Sequence, residues 1–196
     1  CKVCQLVKLY KNGQPFKMSK RAGDFISAQD LMNEVSKDSI RFMMLNRSND
    51  VELDFDFEKV KEKTKDNPVF YVQYAYARIS SIARTLKINL NDHISINSKT
   101  FKPNDYEEKI LRKIFEWPKI IESAANKFEP HKIPFYLYEL STLFHSYWSK
   151  GNEDINYRFI QNGKIKKEDS LAFICLIAVV IKNGMNILGV SLPEKM

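Results

Sequence analysis

The run Asp66-Asn67-Pro68-Val69-Phe70-Tyr71-Val72-Gln73-Tyr74-Ala75-Tyr76-Ala77-Arg78-Ile79 decides how the chain is read. The Asn67 side chain can accept from the free N–H groups of a first helical turn, and Pro68 lacks an N–H at a position where none is needed. The pair marks a helix start. Beyond it Val69, Val72, Tyr76, Ile79, Ala83 and Leu86 recur at steps of three and four, the apolar stripe of a long amphipathic helix.

Downstream the same period returns three times. Ile110, Ile114, Trp117, Ile121, Ala124 and Phe128 form a stripe that Pro118 is expected to kink or break. Pro134 opens a helix through Leu137, Leu140, Phe144 and Trp148, and a last one runs from Leu171 through Ile174, Ala178, Ile181 and Met185 to Leu188, with Gly189 as its stop. The polar, aperiodic stretch from Asn89 to Asn104 predicts a linker. With no strand signal read beyond Pro68, residues 67–196 are expected to form an all-helical bundle, so the fold class is mainly α.

Residues 1–66 read differently. The Val- and Leu-rich start, followed by Asn12-Gly13, predicts a strand, a tight turn and a short return to Phe16. Ser27 and Asp30 have capping-box spacing ahead of a helix with Leu31, Met32 and Val35 inward. A second short helix is expected after Ser36, with Ile40, Met43 and Met44 inward. Leu53-Asp54-Phe55-Asp56-Phe57 alternates, and a charged helix is expected to end near Lys65. This mixed α/β segment is too short for a complete α/β domain and reads as the trailing edge of something larger.

Composition narrows the chemistry. Among 196 residues, 44% are hydrophobic and 28% charged, which is globular, and 31 Lys and Arg against 24 Asp and Glu leave a net charge of +7. That balance favours a polyanionic partner. Lys59, Lys61, Lys63 and Lys65 are interleaved with acids and read as a solvated helix face. The uninterrupted apolar run Leu171–Ile181 is well short of the roughly 20 residues of a membrane span, so no membrane association is expected. No secretory leader is legible at Cys1-Lys2, and an intracellular protein is the expectation. Cys1 and Cys4 have the spacing of half a zinc site, but no second pair follows, and Cys175 reads as core. No metal site is therefore expected. His93, His131 and His145 have no ligand spacing among them and are read as structural.

Two groups of residues could carry function. In Phe16-Lys17-Met18-Ser19-Lys20-Arg21-Ala22-Gly23 three cations surround a hydroxyl ahead of a flexible glycine. Such a loop can close over a polyphosphate, with lysine as a mobile point charge, or it can be a solvated basic turn. Tyr71, Tyr74, Tyr147 and Trp148, near Arg78, Lys150 and Arg158, can stack on unpaired bases, or pack as core.

The order of motifs resembles one family. KMSKRAG, Asp54-Phe55-Asp56, the run from Asp66 to Ile79, Tyr138-Glu139-Leu140 with Phe144-His145-Ser146, and Asn183-Gly184-Met185-Asn186-Ile187-Leu188-Gly189-Val190 with Pro193-Glu194-Lys195-Met196 together resemble the C-terminal third of arginyl-tRNA synthetase, a class I ligase. The resemblance implies an enzyme that forms arginyl-adenylate from ATP and L-arginine, with Mg2+, and transfers arginine to tRNA(Arg). It implies that Lys17, Met18, Ser19, Lys20 and Arg21 are the ATP-closing loop, with Lys20 stabilising the phosphates and Lys17 assisting. Residues 1–66 then resemble the end of the catalytic domain, and 67–196 the anticodon-binding domain. Trp148 and Met196 fall where the family places side chains near the anticodon loop, and Tyr74 and Tyr147 join them as stacking candidates. A cytoplasmic monomer is expected. Trp148 stands where Tyr is common in the family, Tyr76 where His is, and Asp24 where Asn is. No His-x-Gly-His occurs, so half of the ATP site is not in this chain. The alternative is a stand-alone, non-catalytic RNA-binding module derived from a synthetase; a helical domain that only docks on another subunit is a further possibility.

Overall fold

A computed structural model describes residues 2–16, 26–90, 101–166 and 168–196. The loop residues from Lys17 to Asp24, together with Cys1 and His93, lie outside the described residues.

The first segment builds a three-stranded sheet. Strand β1 (Val7–Lys11) turns through Asn12 and Gly13, both with positive φ, into β2 (Gln14–Pro15). Helix α1 (Ala28–Glu34) starts at the Ser27–Asp30 capping box, and α2 (Lys37–Leu45) at a Ser36 cap. The chain then returns as β3 (Leu53–Asp56), parallel to β1, with Val7 opposite Leu53 and Tyr10 opposite Asp56. Alternation places Leu53 and Phe55 inward, where they join Leu31, Val35, Phe57 and Val60 in a small core.

The charged helix expected to end near Lys65 does not form. One 3-10 turn, Lys59–Lys61, takes its place. The reason is Asn67, whose Nδ2 donates to the carbonyl oxygens of Val60 at 2.9 Å and Glu62 at 2.8 Å. Those carbonyls are thereby held in a turn, while Asn67 Oδ1 accepts from Phe70 N and starts the next helix.

That helix, α3 (Pro68–Leu86), buries the expected stripe through Val69, Val72, Tyr76, Ile79 and Ala83. Two shorter helices follow, α4 (Asp105–Phe115) and α5 (Trp117–Lys127), and Pro118 falls in the first turn of α5. Lacking an N–H, it cannot bond the Ile114 carbonyl, so the chain breaks at Glu116. Phe128 does not extend the stripe as expected. It ends α5 in the left-handed region and is 70% exposed.

Helix α6 (Lys132–Glu153) crosses the bundle, and α7 (Glu168–Leu188) packs against it and α3. Between them lies a hairpin that the sequence reading missed, β4 (Ile160–Gln161) and β5 (Lys164–Ile165), turning at Asn162-Gly163 with the same positive φ pair as at Asn12-Gly13. Helix α7 is long and apolar enough to span a bilayer by length and composition, but 61% of its most apolar window is buried. Phe173, Ile174, Ile177, Ile181 and Met185 fill the main core with Val72, Ile79, Leu137, Leu140 and Phe144. Burial against helices on several sides accounts for that apolarity. Phe42 of α2 enters this core, whereas Ile40, Met43 and Met44 of the same helix pack on the small one.

Candidate nucleic-acid interface

On α3, Phe70, Tyr74 and Arg78 lie four residues apart and so share one face. The Phe70 and Tyr74 rings stack at 5.7 Å with 16° between planes. The Arg78 guanidinium carbon sits 4.3 Å from the Tyr74 ring centre and 5.2 Å from that of Trp148, which α6 supplies. One cation thus bridges two half-buried rings, an arrangement worth up to about 2 kcal/mol per contact where water is excluded.

Arg78 is fixed by hydrogen bonds as well. It donates through Nη1 to His145 Nδ1 at 2.8 Å and through Nη2 to the Tyr74 hydroxyl at 3.3 Å. Guanidinium only donates, so Nδ1 must be the acceptor, and Nε2–H then donates to the Tyr71 carbonyl at 3.1 Å. Burial, helped by the nearby Arg78 charge against the bond to Tyr71, pushes the His145 pKa down to about 4. The imidazole is neutral at pH 7 and serves as a backstop that aims Arg78 between the rings.

The face extends at both ends. Met196 lines one open pocket with Lys63, Phe70 and Tyr74. Beyond Trp148 a groove of ≈ 360 Å³ runs along Tyr157, Arg158 and Phe159, and Arg158 Nε is anchored on the Gly151 carbonyl at 2.8 Å. Tyr74, Trp148 and Met196, three of the expected RNA contacts, are therefore brought to one surface. Lys150 lies near the Tyr157 ring, 5.9 Å from its centre.

Tyr147 does not join them, and the expectation for this residue is corrected. One position from Trp148 on the helix, it points the other way and is 3% exposed. Its hydroxyl donates to Glu107 Oε1 at 2.8 Å and accepts from Asn104 Nδ2 at 3.0 Å. Glu107 is itself buried and closes the capping box of α4, so Tyr147 ties α6 to the start of α4. Burial raises the phenol pKa well above its ordinary value, and the ring has no open face for a base. Tyr71 packs against Tyr138 and His145, with ring centres at 5.1 and 4.4 Å.

The remaining sequence candidates are placed as follows. Lys17, Met18, Ser19, Lys20 and Arg21 fall outside the described residues. Cys4 is exposed and Cys175 buried, and among the described residues no group of three His, Cys, Asp or Glu side chains could hold a metal ion. His131 stands ahead of α6 as its capping residue without a side-chain cap bond. Lys61 pairs with Glu34 and Glu58 instead of lying free on a helix face. The structural reading of His145 fits its buried place behind Arg78, whereas Phe70 was not among the sequence candidates. The four-residue step from Phe70 through Tyr74 to Arg78 was a legible signal for it, whereas the contact of His145 with Arg78 joins helices far apart in the chain.

Fold and face together define a mainly α domain that displays half-buried rings around a fixed cation. Residues 72–196 match the DALR anticodon binding domain, and the chain belongs to that family. Across all of its residues it is 59% identical to the arginine--tRNA ligase of Pelagibacter ubique and 48% identical to that of Ruegeria pomeroyi. It spans 34% of each of those relatives, matching their C-terminal part. A crystal structure described as an arginyl-tRNA synthetase from Campylobacter jejuni superposes with a TM-score of 0.82 at 28% identity, over 98% of this chain and 40% of that one.

Proposed function

We propose that this chain is the C-terminal part of a cytoplasmic, monomeric arginine--tRNA ligase. Residues 67–196 bind the anticodon arm of tRNA(Arg), and residues 1–66 are the end of the catalytic domain. The observation that carries the reading is the ladder of Phe70, Tyr74, Arg78 and Trp148, with Met196 at its lower end. Splayed anticodon bases have flat faces for which Tyr74 and Trp148 offer half-buried partners, and stacking of this kind contributes about 1–3 kcal/mol per base. Arg78 adds fixed positive charge between the rings, and Arg158 extends it along the groove beyond Trp148.

The activity of the complete ligase is adenylate formation from ATP and L-arginine, followed by transfer to tRNA(Arg). Lys20 and Lys17 are assigned to the phosphates of ATP, where a lysine tracks the charge that develops on departing pyrophosphate. Mg2+ would accompany ATP, and none of the described residues is assigned to it.

Fluorescence anisotropy with labelled tRNA(Arg) transcripts tests the binding half. The 196-residue chain should bind the native transcript at least about tenfold more tightly than one with a substituted anticodon, and binding should weaken steeply with salt. Equal affinity for both transcripts would sink the anticodon assignment. In the complete ligase, Lys20→Ala should lower arginine-dependent pyrophosphate exchange far more than tRNA affinity; equal losses would remove the phosphate role.

A further inference from the structure

The segment after α7 is held by side chains from two helices. At its start Gly189 turns the chain with φ +66°, its N–H donating to the Asn186 carbonyl at 3.0 Å and the Val190 N–H to the Met185 carbonyl at 3.0 Å. Helix α2 reaches this turn from the other side. Arg41 Nε donates to the Leu188 carbonyl at 2.8 Å, and a Cβ on residue 189 would lie 2.9 Å from that same nitrogen. One turn earlier on α2, Asp38 accepts through Oδ1 from Ser191 N at 3.1 Å and through Oδ2 from the Ser191 hydroxyl. Helix α3 takes the carbonyls that follow: Gln73 Nε2 donates to Ser191 O at 2.9 Å, and Arg84 Nη1 to Glu194 O at 2.6 Å. Two residues further on is Met196, beside Phe70 and Tyr74.

We infer that Asp38 and Arg41 are positioning residues that set Met196 against Tyr74 and thereby complete the RNA-binding face. Neither touches that face, and the inference rests on the reading of the Tyr74, Trp148 and Met196 surface as an RNA site. Of the side-chain bonds on this segment, those of Asp38 and Arg41 come from α2, in residues 1–66. Helix α2 also packs on the small core, through Ile40, Met43 and Met44, so it joins that core to the start of the segment after α7. Coupling of this kind is reciprocal: a clasp that favours RNA must be favoured by RNA.

Electrostatics gives the inference a sign that a bland role would not share. Asp38 is a carboxylate on a chain of net charge +7. Removing it by Asp38→Ala should, by charge alone, tighten binding to a polyanion. The clasp requires the reverse.

The test uses the 196-residue chain and a tRNA(Arg) transcript, with Trp148→Ala as a control on the face itself. Asp38→Ala should raise amide hydrogen exchange at Ser191 and beyond by about tenfold or more and weaken the transcript about tenfold, since hydrogen bonds to a charged group are the stronger kind. In a Met196→Ala background the same substitution should cost less than about twofold in affinity, because the residue it positions is gone. Ser191→Ala, which removes one donor and no charge, should weaken binding in the same direction and serves if Asp38→Ala does not fold. Unchanged exchange would overturn the clasp, whatever RNA does. Faster exchange with unchanged or tighter RNA binding would overturn the positioning role, provided Trp148→Ala weakens binding. No effect of Trp148→Ala would instead count against the RNA face and would take the positioning role with it.

Discussion

Arg78 donates to Nδ1 of His145 at 2.8 Å, a bond that exists only while that imidazole is neutral. Protonation would set donor against donor and bring a second positive charge to a buried place. With an unfolded value near 6.5 and a folded value of about 4, the group is a depressed titration. Its stabilising contribution is complete above pH 6.5 and is lost as pH falls through 4.

From that relationship stability should drop between pH 6.5 and 4, by about 2 kcal/mol at pH 5, where most carboxylates are still charged. Urea unfolding midpoints at pH 7 and pH 5 check this. His145→Gln supplies an acceptor and a donor without titrating, and should flatten the difference. A pH dependence that persists undiminished in His145→Gln would place the titration elsewhere.

Substitutions on the ladder should separate stacking from charge. Trp148→Ala removes a ring that stands over Arg78 and should weaken tRNA(Arg) binding by about 1–3 kcal/mol with little change in the salt slope. Trp148→Tyr, which keeps a ring, should come close to the native affinity. Arg78→Lys keeps the charge but replaces the planar fork, whose two nitrogens serve His145 and Tyr74 separately, with a single nitrogen, so it should lose affinity despite an unchanged net charge. Anisotropy titrations across a salt series measure all three, and a native-like Arg78→Lys would refute the claim that the fork matters.

Tyr147→Phe should do the opposite, harming the fold and sparing the face. It removes the donor to Glu107 Oε1 and leaves that 1%-exposed carboxylate short of a partner. A loss of about 1–3 kcal/mol in unfolding free energy follows, with tRNA affinity unchanged. Weaker RNA binding by a stably folded Tyr147→Phe would restore the residue to the interface.

Most of the helices were legible because their ends have a local cause, although α6 starts at Lys132, two residues ahead of Pro134, without a side-chain cap. Asn67-Pro68 starts α3, Ser27 and Asp30 start α1, Pro118 splits α4 from α5, and Gly189 stops α7. Where the sequence reading failed, the deciding contact was elsewhere. A basic run after Asp56 looks helical until Asn67 is seen to hold the Val60 and Glu62 carbonyls. Asn162-Gly163 carried the same turn signal as Asn12-Gly13, but its two-residue strands are too short to show alternation. Tyr147 and Trp148 are adjacent aromatics on one helix, and distant partners, Glu107 and Asn104 at the hydroxyl and Phe159 and Phe173 at the ring, decide that Tyr147 faces inward. The site was half legible for the same reason: residue types pointed to stacking, while the tie between Arg78 and His145 depends on how α3 meets α6.

The packing of α6 against α7 depends on a small residue as well. A Cβ on Gly184 of α7 would lie 2.7 Å from Leu137 Cδ2, and Leu137 on α6 is fully buried. Gly184→Ala must therefore separate α6 from α7 or force Leu137 off its rotamer, at a cost of about 1–3 kcal/mol even though alanine is the better helix former. Leu137→Ala leaves a cavity and should destabilise on its own, by about 2–5 kcal/mol. The double variant should be more stable than the sum of the two losses implies, because the space opened at 137 receives the added methyl group. Thermal unfolding of the four proteins completes the cycle. Strict additivity would show that the close approach between these helices is not what requires glycine at 184.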